Sequence, residues 1–163
     1  MTDYWYLLPF SVQGLVMFFD EFYCHFKRGL PRWERIGHPL DTLTVMFCIG
    51  ICTFLSPSNP AANTLFIFGA LFSCFFITKD EFVHARECSA FEHWLHSILF
   101  VLHPAILFCT FELWHKGGSI DVGFDLNFPI GVILKIQFYF LAVFCIYQIS
   151  YWNIYRVGNE KNK

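Results

Sequence analysis

Charge is scarce in this chain of 163 residues. Asp, Glu, Lys and Arg make up 15% of the sequence, whereas a soluble domain carries about a quarter. The net charge is −2 and no basic stripe has the spacing that reads a nucleic acid, so no nucleic-acid partner is expected. The amino terminus lacks the basic start and small-residue cleavage site of a signal peptide, so we expect the first apolar run to be retained.

Motifs for thiolate zinc sites and for zinc proteases are also missing. The sequence has no CxxC pair and no HExxH motif. Its seven cysteines are an odd number, and five of them fall inside apolar runs, where a free cysteine behaves as a small hydrophobe. A disulfide framework is therefore not expected.

Apolar residues make up 56% of the chain, including 22 phenylalanines, and they are arranged in long blocks. A helix needs roughly 20 residues to cross a bilayer, and only helices satisfy all backbone hydrogen bonds at these lengths. The sequence predicts an all-α integral membrane protein, a single domain over residues 1–163 with about five transmembrane helices. The predicted spans cover about residues 4–25, 40–56, 61–84, 91–113 and 129–155.

The basic residues predict the orientation of these spans. One side of the membrane receives Lys27, Arg28, Arg32, Arg35, Lys79, Arg86, Arg156, Lys161 and Lys163, whereas the other side has only Lys116 outside a span. By the positive-inside rule this side is cytoplasmic, with the N-terminus outside and the C-terminus inside.

Acids and histidines collect at the predicted cytoplasmic ends of four helices, most densely in the stretch "KDEFVHARECSAFEHWLH" over residues 79–96. Many of them are three or four positions apart, which places them on one helix face. Ionisable residues at membrane depth indicate function, and oxygen and nitrogen ligands suit iron, manganese or zinc. The candidate metal ligands are Glu21, His25, His38, Asp41, Asp80, Glu81, His84, Glu92, His93 and His96.

Several of these residues also have a simpler interpretation. Asp41 near a helix start can complement the helix dipole, and Glu21 can form a local ion pair with His25. Asp80 and Glu81 can belong to a solvated loop. For Glu34 and Glu87, surface pairing with Arg35 and Arg86 is the favoured interpretation.

Three further residues are candidates for supporting the metal ligands. His103 lies two helical turns from His96, either as a proton relay or as the donor of a structural hydrogen bond. Tyr147 and Tyr151 offer hydrogen bonds to ligands, although an interfacial aromatic belt also explains them.

This layer of histidines and carboxylates resembles the membrane-embedded di-metal oxidases and hydroxylases, whose ligands cluster at the cytoplasmic ends of helices. Those enzymes carry more histidine boxes; here HxxH occurs once, at His93–His96, and carboxylates make up the difference. The resemblance concerns the metal layer and indicates no substrate. The leading hypothesis is an oxidoreductase with two metal ions, iron preferred and zinc or manganese as alternatives. Its substrate would be lipid-soluble, and its electrons would come from a separate donor.

Two other classes stay open on the sequence alone. Three protein ligands and a water make a hydrolytic zinc site, so an intramembrane zinc hydrolase is the first alternative. A metal transporter or sensor without catalysis is the second, and haem bound between two histidines is a minor one.

Overall fold

The computed structural model describes residues 4–121 and 127–156, and the regular secondary structure within these ranges is helical apart from one short hairpin. The prediction of a helical fold is therefore confirmed, while the hairpin was not predicted. The elements are α1 (Leu7–Phe19), α2 (Phe26–Arg28), α3 (Arg32–Phe54), α4 (Pro60–Phe76), α5 (Glu81–Glu87), α6 (Ala90–Lys116), β1 (Ser119–Asp121), β2 (Asn127–Pro129) and α7 (Ile130–Gln148).

Four stretches are long and apolar enough to cross a membrane, which is consistent with a membrane protein. They are Arg32–Phe54, Pro60–Arg86, Ala90–Lys116 and Ile130–Tyr155. The fifth span at 4–25 and the orientation of the helices remain predictions. Lys161 and Lys163, on which the orientation partly depends, lie outside the described residues.

The first helix runs from a 3₁₀ turn at Tyr4–Tyr6 through α1 and a π-helical turn at Asp20–His25 into α2. A π-helical turn rotates its side chains relative to the preceding α-helix, and such turns are frequent at functional sites. Here it buries Asp20, Glu21 and His25 together on one side. The helix ends at Gly29, whose φ of 81° is readily adopted only by glycine.

Helix α3 begins at Arg32, eight residues before the predicted span at 40, so Gly37 and Pro39 lie inside a helix and not in turns. A proline inside a helix removes one N–H and frees the carbonyl four residues earlier, which is that of Arg35. Asn153 donates a side-chain hydrogen bond of 2.9 Å to this carbonyl, so the helix continues through Pro39. Asp41 is consequently well inside α3, and the interpretation that it complements a helix start is wrong.

The stretch between the third and fourth predicted spans is largely helical. Helix α4 continues through a 3₁₀ turn at Ile77–Asp80 into α5, and the Ser89 side chain caps α6 by accepting from the backbone N–H of Glu92. Only a sharp corner at Cys88 and Ser89 separates α5 from α6. This corner directs the start of α6 back against the end of α5.

The apolar core lies in the half of the bundle away from the acids and histidines, around Cys48, Ile49, Phe66 and Leu113. Strands β1 and β2 pair antiparallel beside it and bury Ile120. Many large apolar side chains face outward on the long helices, as they do on surfaces that contact lipid. Helix α7 packs along α3 and continues as a second π-helical turn at Ile149–Tyr155, which reaches the layer of polar residues.

Candidate metal centre

Four imidazoles from four helical segments form a closed ring at one end of the bundle. They come from the first π-helical turn (His25), α3 (His38), α5 (His84) and α6 (His96). Around the ring, successive centroids are separated by 4.8 Å, 6.3 Å, 3.8 Å and 6.0 Å. Three of these histidines are buried and His38 is half-buried.

Four buried carboxylates surround this imidazole ring. Oδ2 of Asp20 lies 2.9 Å from Nε2 of His96 and 3.1 Å from Nε2 of His25, so it bridges two of the imidazoles. Oε1 of Glu92 lies 3.6 Å from the same His25 nitrogen, and Oε2 of Glu21 lies 3.4 Å from Nδ1 of His25. On the other side of the ring, Oε1 of Glu34 approaches Nε2 of His84 at 3.9 Å.

A single guanidinium holds two of these carboxylates in place. Arg28 donates hydrogen bonds of 2.7 Å to Oε2 of Glu34 and 2.7 Å to Oε1 of Glu92. Burial works against the charge of Arg28, but the hydrogen bonds to the two carboxylates outweigh it and raise the pKa of Arg28. The guanidinium therefore stays charged at any physiological pH and fixes both acids beside the imidazole ring.

The indole of Trp152 holds a third carboxylate. It is 1% exposed, belongs to the second π-helical turn, and donates its N–H to Oε1 of Glu21. Because Oε2 of the same carboxylate faces His25, the indole orients an acid that contacts the imidazole ring. Outer hydrogen bonds of this kind are how proteins position metal ligands.

Unsatisfied polar atoms are concentrated at this centre. Among the described residues, eight buried side-chain atoms have no hydrogen-bond partner, and six of them belong to Asp20, His25, Glu34, His84 and His96. Both ring nitrogens of His84 are among the six. Buried polar atoms are normally paired, and a group without a partner needs an explanation such as an ion.

Two groups of ligand atoms are each compact enough for one ion and share no residue. The first set is Asp20, His25, Glu92 and His96; the second set is Glu34, His38 and His84. Within each set the ligand atoms lie within 4.8 Å of one another. Two further overlapping groups, Glu21–His25–His38 and His84–Cys88–His96, also meet this limit. The residues present therefore fit a metal ion, with nitrogen and oxygen donors in the two separate sets.

Of the ten candidate ligands from the sequence, the fold brings six together in these groups: Glu21, His25, His38, His84, Glu92 and His96. Asp41 and Asp80 lie nearby, but Lys79 binds them, with its Nζ 2.7 Å from Asp41 and 3.1 Å from Asp80. Asp80 is 5% exposed, so it does not belong to a solvated loop.

Glu81 and His93 lie outside the centre and pair with each other at 3.3 Å. Their side chains are 48% and 39% exposed, and neither residue belongs to a ligand group. The three-residue spacing from Glu81 to His84 thus does not put both side chains on the same ion. The acid that does share a ligand group with His84 is Glu34.

Sequence reasoning missed Asp20, Glu34 and Cys88 as members of the ligand groups, and Trp152 as a partner of Glu21. The expectation that Glu34 is a surface residue is wrong: it is fully buried and pairs with Arg28. One signal would have found it. Glu34 precedes His38 by four residues, the spacing that also relates Glu21 to His25, Asp80 to His84 and Glu92 to His96. The side chain of Glu87, predicted to be at the surface, lies outside the described part of the structure.

The three supporting candidates lie around the centre. His103 is buried on the wall of a cavity of about 140 Å³ that also exposes the imidazole ring, and Ser73 forms a 2.9 Å hydrogen bond with it. Tyr147 and Tyr151 stack on each other with centroids 5.5 Å apart, beside the buried Trp152. Trp152, on the π-helical turn that continues α7, donates its indole N–H to Glu21, and the Tyr147 phenol forms a side-chain hydrogen bond with the same carboxylate.

No protein-family model, curated protein or solved structure matches this chain.

Proposed function

We propose that this protein is a membrane oxidoreductase with a two-metal centre. The first set holds one ion and the second set holds the other. The observation that carries the proposal is that two compact ligand groups share no residue and yet adjoin, since the rings of His84 and His96 are 3.8 Å apart. Paired imidazole and carboxylate ligands contributed by different helices are how soluble helical di-iron proteins build their centres, and this supports iron as the preferred metal.

The cavities support a lipid-soluble substrate. The cavity of about 140 Å³ is bounded by the imidazole ring at one end and by Leu99, Phe100 and Phe144 elsewhere. A larger cavity of about 560 Å³ shares Gln13, Met17 and Leu141 with it and extends along α1 and α7 away from the polar layer. An apolar passage beside the centre suits a substrate that arrives from the bilayer.

The remaining parts of the proposal follow from the sequence. The basic residues predict that the centre faces the cytoplasm. The proposal includes a separate protein that supplies the electrons.

Metal analysis of matched variants tests the centre. The wild-type protein and the variants His84→Ala and Glu81→Ala are purified in mild detergent without chelator, and bound metals are measured by inductively coupled plasma mass spectrometry. We expect two equivalents of iron in wild type and in Glu81→Ala, and a large loss in His84→Ala, because only His84 belongs to the ligand groups. Folded wild-type protein that holds no metal would show the two-metal proposal to be wrong.

The same measurement separates the proposal from an intramembrane zinc hydrolase. The second set has three protein ligands, which is the number that leaves a fourth position on zinc for water. Tightly bound zinc in wild type, retained in Glu81→Ala and lost in His84→Ala, would favour the hydrolase. Iron that is oxidised on exposure to air would favour the oxidoreductase.

A further inference from the structure

Cys88 lies at the corner between α5 and α6, where its position is tightly constrained. Its backbone N–H donates to the carbonyl of His84 at 3.1 Å and closes α5, and the next residue, Ser89, caps α6. The corner brings the Cys88 sulfur within 4.8 Å of a ring nitrogen of His84 and of His96. One thiol and two imidazoles, from the corner and from the helices on either side of it, thus lie close enough together to bind a single ion.

The two imidazoles have nitrogens available at this point. His84 is 4% exposed, and neither of its ring nitrogens has a hydrogen-bond partner among the described residues. Nδ1 of His96 is also buried without a partner, while its Nε2 faces Asp20. The cysteine is therefore accompanied by buried imidazole nitrogens that no hydrogen bond from the described residues satisfies.

Arg28 places a hydrogen-bond donor beside the sulfur. Arg28 donates an N–H toward Sγ of Cys88 at 3.7 Å, while the same guanidinium is held by Glu34 and Glu92. A metal-bound thiolate is negative and accepts such a hydrogen bond more strongly than a thiol does. Arg28 would thus stabilise the Cys88 thiolate when it is bound to a metal ion.

We propose that His84, Cys88 and His96 form a further metal position that selects thiophilic ions such as Zn²⁺ or Co²⁺. This inference rests on the proposed metal centre, because it takes one histidine from each of the two sets. On binding, the S–H bond breaks, a metal–sulfur bond forms, and the proton passes to the solvent. An ion here takes a thiolate in place of the carboxylates of the two sets, so the choice between Cys88 and the carboxylates decides which metals the centre retains.

Without metal the thiol is protonated. Burial, together with the negative charge of Glu92, raises the pKa of Cys88 above that of a free thiol. Cys88 is consequently a weak nucleophile in the metal-free protein, and its reactivity alone would not mark it as a ligand.

Co²⁺ titration of the metal-free protein tests the inference, because a thiolate ligand gives an intense near-ultraviolet charge-transfer absorption that nitrogen and oxygen ligands do not. We expect this absorption in wild type and its complete loss in Cys88→Ser, with Co²⁺ affinity reduced by about tenfold or more. The matched control is Cys24→Ser, because Cys24 is a buried thiol in the first π-helical turn but belongs to none of the ligand groups. The control should keep the absorption.

A second measurement covers a Cys88→Ser protein that does not fold. Alkylation of wild-type Cys88, followed by mass spectrometry of the peptide, should slow at least tenfold when Zn²⁺ is added, and Cys24 serves as the internal reference. Co²⁺ that binds without thiolate absorption, or Zn²⁺ that leaves Cys88 alkylation unchanged, overturns the thiolate position and leaves the two-metal centre intact. Folded wild-type protein that binds neither ion overturns both proposals.

Discussion

Replacing Arg28 with methionine tests whether its guanidinium stabilises the fold by pairing with two buried acids, and whether a bound metal ion can replace it. In the metal-free protein this guanidinium is the partner of Glu34, which is fully buried, and of Glu92, which is 2% exposed. Removing one partner of a buried ion pair leaves an uncompensated charge and costs about 3–5 kcal/mol. The side chain of Arg28 is itself 20% exposed, so we expect about 3 kcal/mol, the lower end of this range.

Metal should compensate for this loss. An ion bound by the first or second set neutralises the acids that Arg28 no longer reaches, and metal at about 100 times its Kd adds about 2.7 kcal/mol to any protein that binds it only when folded. The variant also lacks a positive charge beside the ions, so it should bind them more tightly than wild type does. Added metal should therefore stabilise Arg28→Met more than it stabilises wild type.

Thermal unfolding in detergent, with and without saturating Fe²⁺, measures both effects. The matched control is Arg86→Met, because Arg86 is an exposed arginine near the end of α5. It should leave stability and the response to metal unchanged. If metal-free Arg28→Met unfolds at the wild-type temperature, Arg28 does not hold the two acids and the geometry described for the centre is incorrect.

Three further changes have expected outcomes. Trp152→Phe removes the N–H whose hydrogen bond Glu21 accepts, which should cost about 1–3 kcal/mol in thermal unfolding and weaken Co²⁺ binding by about 10–100-fold. The control Tyr155→Phe alters an exposed ring on the same π-helical turn and should change neither quantity. Burial raises the pKa of Cys88, so its thiolate fraction at pH 8 is smaller than that of a free thiol. Alkylation of Cys88 in the metal-free protein should therefore be slower than alkylation of a cysteine peptide at pH 8, and it should accelerate as the pH rises further. Equal rates would contradict the burial of this thiol. Asn153→Leu removes the side-chain donor to the Arg35 carbonyl, which Pro39 leaves without its helical partner, and should destabilise the protein by about 1 kcal/mol in thermal unfolding. A substitution of the exposed Ile154 should cause no such loss.

The helical fold was predictable because apolar blocks of near-span length admit few other structures. The boundaries of the helices were not predictable, and α3 shows why. The sequence "RIGHPLD" contains two residues that usually interrupt helices, and the helix nevertheless runs through both. The compensating donor, Asn153, is 118 positions away, so the continuation depends on tertiary contact and not on local propensity.

The candidate centre was predictable at the level of which ends of which helices meet. Which of the neighbouring acids contribute to the centre was not predictable. Glu81 and Asp80 are adjacent in the sequence, but one is exposed and paired with His93 while the other is buried against Lys79. Asp20 joins the centre because the chain forms a π-helical turn at that point, and an ideal α-helix would rotate it differently. Spacing alone cannot show such a turn.

The charge of the centre argues that a cation belongs to it. Four buried carboxylates contribute −4 and the Arg28 guanidinium contributes +1, which leaves −3 if the imidazoles are neutral: Asp20, Glu21, Glu34 and Glu92. Burying unbalanced charge is expensive, so either protons or metal ions must compensate. Protons on the imidazoles would place like charges on rings as close as 3.8 Å, at His84 and His96. One divalent ion leaves −1 and two leave +1, so either number nearly balances the acids without charging the imidazoles, and bound ions use ring nitrogens that have no hydrogen-bond partner among the described residues. The electrostatics of the metal-free cluster thus favours bound cations, and the two ligand groups that share no residue are what favours two ions over one.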